Sequence, residues 1–109
     1  METTILKYLS VLTKPLKKHN LLDYLRANGF PHLSDRTMRL TIEKMVKTGA
    51  LIGSSADGYY IIHNEYQLDE SMKWLRSKAF SLFERAKAIH TNYHKDKAGK
   101  QLTFKEFIQ

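Results

Sequence analysis

The apolar pattern of this chain changes period twice, and that limits the architecture more than any single motif does. Up to Gly49 the hydrophobic residues recur at helical spacing. Two β-prone runs follow, Ala50-Leu51-Ile52 and Tyr59-Tyr60-Ile61-Ile62, around the polar interval Gly53-Ser54-Ser55-Ala56-Asp57-Gly58. Helical spacing then resumes at Gln67 and holds to about His94. Periods of 3.6 and 2 report helices and strands respectively, so the order is helices, one hairpin, one long helix. The expected class is mainly α (α+β).

Within the first stretch, Ile5, Leu6, Leu9 and Leu12 define a helix over residues 4–12 behind caps at Thr3 or Thr4, with Pro15 ending it. A second helix is expected with Asn20 as its cap, carrying Leu21, Leu22, Tyr24 and Leu25 and stopping at Asn28-Gly29. The third has the clearest start. Ser34 is a favourable N-cap, Asp35 complements the helix dipole, and Leu33 and Met38 hold the positions of a hydrophobic staple. Met38, Ile42, Met45 and Val46 form one stripe, and Gly49 terminates it. The interval 53–58 is longer than a two-residue turn, which predicts a projecting loop.

On the face of the third helix opposite that stripe stand Arg36, Arg39, Leu40, Glu43 and Lys47. The chain has 18 Lys and Arg against 11 Asp and Glu, a net charge of +7, which favours polyanionic partners. Arginines in the first two turns of a helix can fork onto guanine O6 and N7 or clamp a phosphate. Glu43 can accept from cytosine N4. The plainer alternative is an ordinary solvated helix face.

Leu33-Ser34-Asp35-Arg36-Thr37-Met38-Arg39, then Ile42-Glu43-Lys44-Met45 and Lys47-Thr48-Gly49-Ala50-Leu51-Ile52, resembles the recognition-helix-to-wing passage of winged helix-turn-helix DNA-binding proteins. Gly53-Ser54-Ser55 followed by Gly58-Tyr59-Tyr60-Ile61 is similar to small phage-encoded or prophage-encoded members. The likeness covers about residues 4–66. It implies three helices plus a β-hairpin wing, with sequence-specific binding to double-stranded DNA as a transcriptional regulator or replication-associated factor. Helix 34–48 would be the reader, through Ser34, Asp35, Arg36, Thr37, Arg39, Leu40, Glu43 and Lys47. The wing would add Ser54 and Ser55, with Asp57 opposing close approach to phosphate. The connector from Gly29 to Leu33 departs from the tight turn of a compact helix-turn-helix.

The expected organisation is therefore a DNA-binding domain over 1–66, a long helix over 67–97, and a basic joint with a short apolar tail over 98–109. In the long helix Leu68, Met72, Leu75, Ala79, Leu82, Ala86, Ile89 and Tyr93 alternate steps of four and three, a coiled-coil-like seam. Its first half is expected to complete the core. Its second half is expected to form a homodimer through Leu82, Phe83, Ala86, Ile89 and Tyr93, as suits a reader of palindromes. The alternative is a protein-interaction module, with the winged fold as scaffold and the long helix and tail as binding elements.

In the tail, Gln101-Leu102-Thr103-Phe104 resembles the peptides with which bacterial replication proteins bind the sliding clamp. Thr103-Phe104-Lys105-Glu106 also fits a capping box, and Phe104, Phe107 and Ile108 would then dock on the body or on a partner. His90 and His94, four apart, can face one metal, but no thiolate is available because the chain has no cysteine. No catalytic constellation is discernible, and neither enzyme activity, a cofactor nor a metal is expected. Without a signal peptide or an apolar run of the ~18 residues a bilayer requires, a cytoplasmic protein is expected.

Overall fold

The computed structural model describes residues 1–95. They form α1 (Glu2–Ser10), α2 (Lys18–Ala27), α3 (Asp35–Lys47), β1 (Ile52–Ser55), β2 (Gly58–Ile61) and α4 (Glu65–His94). The structure is mainly helical, with one antiparallel two-stranded ribbon. A compact unit spans Met1–Trp74 and a second begins at Leu75. The first thus extends past residue 66 into the opening turns of α4.

Ile5 and Leu9 of α1, Leu21, Leu22 and Leu25 of α2, Met38, Ile42 and Met45 of α3, and Ile52 of β1 form the core. Each such side chain contributes about 1.5–3 kcal/mol relative to exposure. Against this cluster the Tyr8 and Tyr24 rings stack with centroids 3.6 Å apart and planes 2° from parallel. Val46, expected on the buried stripe, is 45% exposed. Eight residues turn a helix by about 80° beyond two full turns, which carries it off the stripe that begins at Met38.

The helix starts differ from the sequence expectation in α1, α2 and α4, the last beginning at Glu65 rather than Gln67. α1 begins at Glu2, so Thr3 and Thr4 lie inside it, and it ends at Ser10, short of Pro15. α2 begins at Lys18, with Lys17 as an extended N-cap residue whose side chain makes no capping bond. Asn20 is therefore interior. The cause is tertiary. Leu16 exchanges two backbone hydrogen bonds with Tyr59, its N–H donating at 2.8 Å and its carbonyl accepting at 2.9 Å. This bridge pins the chain immediately before α2. At the other end Gly29 takes φ +104, and the Phe30 N–H closes on the Leu25 carbonyl. The Gly29–Leu33 connector folds as a turn, and the Arg26 Nε–H donates to the Leu33 carbonyl at 2.9 Å.

The hairpin corrects the expected long loop. Gly53, Ser54 and Ser55 are strand residues paired with Tyr60, Tyr59 and Gly58, leaving only Ala56 and Asp57 as the turn. These residues have low β propensity, but the pairing supplies what the side chains lack. A Cβ on Gly53 would lie 2.6 Å from Tyr60 Cε2, so the ring covers the glycine directly. The Ser54 N–H donates to Ser71 Oγ of α4 at 2.9 Å.

α4 is capped by Asn64, whose side-chain oxygen accepts from the Gln67 N–H at 2.9 Å, while Gln67 Oε1 accepts from the His63 N–H at 2.6 Å. Asn64 and Gln67 stand at capping-box spacing, with the return bond going to the His63 N–H rather than to that of Asn64. Leu68 and Met72, expected in the core, stay 41% and 38% exposed, and the core cluster holds no described α4 residue. Ser71 is the buried residue of this helix. Among the described residues no helix is long and apolar enough to cross a membrane.

Candidate functional site

At the start of α3, Ser34 Oγ accepts from the Thr37 N–H at 3.1 Å and donates to Thr37 Oγ1 at 2.9 Å. The Ser34 hydroxyl, expected among the reading groups, is thus engaged in capping. Asp35, in the first turn, accepts from the Arg39 Nε–H at 2.9 Å and faces Lys18 Nζ at 3.4 Å. Holding a guanidinium by Nε leaves both of its terminal NH₂ groups for another acceptor. Among the described residues Arg39 makes no other such bond, and Arg36 makes none.

Arg36, Arg39, Leu40 and Glu43 together line a depression of about 200 Å³. All four are exposed, Leu40 by 51%. Lys47 Nζ lies 2.7 Å from Glu43 Oε1, and this hydrogen bond and charge hold the Glu43 carboxyl below its ordinary range. The two charges offset each other. Arg36 and Arg39 lie in the first two turns of the helix.

Two contributors lay outside the sequence reading. Tyr59, half-buried on β2, has its phenol pushed above the ordinary value by burial, with Arg39 lowering it and Asp35 adding to the rise. The charges of Asp35 and Arg39 thus act on an aromatic hydroxyl of the hairpin. The N-terminus of α2 carries Lys17 and Lys18 with no acidic residue in its first turn and no side-chain cap. The cluster Lys14, Lys17, Lys18 in sequence was the available signal.

Ser54 and Ser55 sit apart from this depression. The Ser54 N–H is taken by Ser71, while Ser55 Oγ accepts from the Asp57 N–H at 3.1 Å inside the turn. Ser55 and Asp57 line a different hollow, formed with residues 10–15 and the opening turns of α4.

In the second unit Leu82, Ile89 and Tyr93 are 50%, 62% and 79% exposed, whereas Phe83 and Ala86 are half-buried. The half-buried stripe continues through His90 and His94, whose ring centroids are 4.6 Å apart. Among the described residues no group of three or more metal-ligating side chains is assembled. The 98–109 joint and tail, with Gln101, Leu102 and Phe104, lie outside the described residues.

No family model, no curated protein and no solved structure matches the chain.

Proposed function

We propose that the chain is a winged helix-turn-helix protein that binds double-stranded DNA through α3, as a small transcriptional regulator or replication-associated factor. The observation that carries this reading is the pair Arg36 and Arg39 on the exposed first turns of α3. Arg36 is unengaged among the described residues, and Arg39 is held at Nε, which leaves its two terminal nitrogens for another acceptor. A pre-oriented guanidinium loses less side-chain entropy on forming a bidentate contact with guanine or phosphate. Lys17 and Lys18 at the opening of α2 supply positive charge for flanking phosphates. The hairpin serves as the wing, with Tyr59 as its contribution to the α3 side.

Two copies joined through Leu82, Ile89 and Tyr93 of α4 would present two readers to a palindromic site. The same exposed apolar residues favour a second reading, in which α4 binds a protein partner and the α1–β2 region is its scaffold. The tail peptide, with its sliding-clamp-like pattern, would serve either reading.

Fluorescence anisotropy with random duplex DNA across ~50 to 200 mM salt tests the first reading. The native chain should bind with a steep salt slope. An Arg36→Ala/Arg39→Ala variant should bind weakly, with a slope smaller by about two. If neither protein binds at low salt while sedimentation shows association abolished by Ile89→Glu, the second reading replaces the first.

A further inference from the structure

We propose that the hollow between residues 10–15, the hairpin turn and the first turns of α4 binds a small organic cation carrying a flat apolar body. The hollow has a volume of about 580 Å³. Small-molecule sites occupy roughly 300–1,000 Å³. All of it lies within the Met1–Trp74 unit.

The chemistry of its walls selects the ligand class. Val11 and Tyr66, each 73% exposed, are the most exposed large apolar side chains described in that unit, and both border this hollow. Tyr60 lines it as well, its ring fixed by the Gly53 backbone beneath it and by its hydroxyl, which donates to the Gln67 carbonyl at 3.1 Å. Tyrosine faces suit a flat apolar body and a nearby cation. Two carboxylates, Asp57 of the turn and Glu70 of α4, line the same hollow, and neither has an ion pair among the described residues. Lys14 and His63 are the basic side chains on the lining. Two unpaired carboxylates beside two aromatic faces favour an ammonium over an anion, even on a chain of net charge +7.

The hollow adjoins the α3 face through one strand. Successive residues of a strand point to opposite sides. Tyr60 lines the hollow, whereas Tyr59 packs on the core and senses the charges of Asp35 and Arg39. Leu16, which follows Pro15 of the hollow wall, is hydrogen-bonded to Tyr59 on both its N–H and its carbonyl. A ligand that orders the hollow therefore also orders the strand that carries Tyr59. By linkage, ligand and DNA then alter each other's affinity by the same factor. This coupling rests on the DNA-binding reading, whereas ligand binding does not.

Titration of the full chain with tryptamine and with benzyltrimethylammonium, followed by amide chemical shifts, tests the site. Saturable shifts confined to residues 10–15, 57–61 and 66–70 are expected. Indole-3-propionate, the anionic counterpart, should bind at least ten times more weakly. Asp57→Asn/Glu70→Gln should weaken both cations about tenfold or more while leaving the remaining shifts of the free protein in place. Tyr66→Ala provides an independent loss with the charges intact. Absence of saturation by both cations, or equal binding of the anion, overturns the proposal, as does binding unchanged in both variants. Repeating the DNA titration with saturating tryptamine isolates the coupling: an unchanged DNA affinity overturns the coupling and leaves the binding site standing. A chain that fails to bind DNA at all removes the reading on which the coupling rests, without affecting the amide titration.

Discussion

Gly58 meets Leu16 backbone to backbone: a Cβ on Gly58 would fall directly on the Leu16 carbonyl. Its φ of +122 lies where an L side chain is strained as well. The bridge between Leu16 and Tyr59 requires this approach, so the glycine holds the hairpin against the start of α2.

Gly58→Ala should therefore destabilise the protein by about 2–3 kcal/mol. Gly29, also at positive φ but with open space around its Cβ position, bears only the backbone penalty. Gly29→Ala should cost about 1–2 kcal/mol. Thermal unfolding followed by circular dichroism distinguishes the two, the first losing roughly 8 °C or more.

Ser71 is 4% exposed and its hydroxyl receives the Ser54 N–H. Ser71→Ala leaves that donor without its acceptor, at a cost of about 1–3 kcal/mol. Amide exchange at Ser54 should accelerate more than exchange at Met38, because the lost bond is local to the hairpin. Equal acceleration at both would mean that α4 is not tied to the hairpin through this bond.

Tyr59 should be late among the six tyrosines to ionise in a spectrophotometric titration. Burial favours its neutral phenol, so the folded value lies above the ordinary 10.0. The sign follows: stability from the neutral group is fully present below about pH 10 and is lost as pH rises through the folded value. Tyr59→Phe should remove the late component of the absorbance change and flatten the alkaline fall in melting temperature.

Asp35 opposes the phosphates that Arg36 and Arg39 are proposed to meet, while orienting Arg39 through Nε. Asp35→Asn should raise affinity for random duplex DNA by about three- to tenfold at low salt. The variant should also lose about 0.5 kcal/mol of stability, as the helix dipole loses its anion. An unchanged or weaker DNA affinity would mean that Asp35 contributes to binding by positioning Arg39 more than it repels.

The stop at Asn28-Gly29, the Ser34 cap and the Met38, Ile42, Met45 stripe were legible because their physics is local. A capping hydroxyl reaches its N–H within one turn, and an apolar stripe repeats within four residues. Asn64-Glu65-Tyr66-Gln67 carried the same kind of signal and set the start of α4 at Glu65. Leu68 and Met72 show where periodicity is insufficient. Helical spacing places them on one face, but whether another element covers that face is a property of the packed chain.

By itself, then, the sequence determined the helical segments, the ribbon between them, and the arginines on the outer face of α3. Tertiary structure alone decided that Gly53, Ser54 and Ser55 are strand, because pairing with Tyr59 and Tyr60 replaces the propensity they lack. It also decided that α2 begins at Lys18 and that Tyr59 reaches the charges of Asp35 and Arg39. The Leu16–Tyr59 bridge joins the two segments, a contact between residues far apart in the chain that no local period or cap encodes.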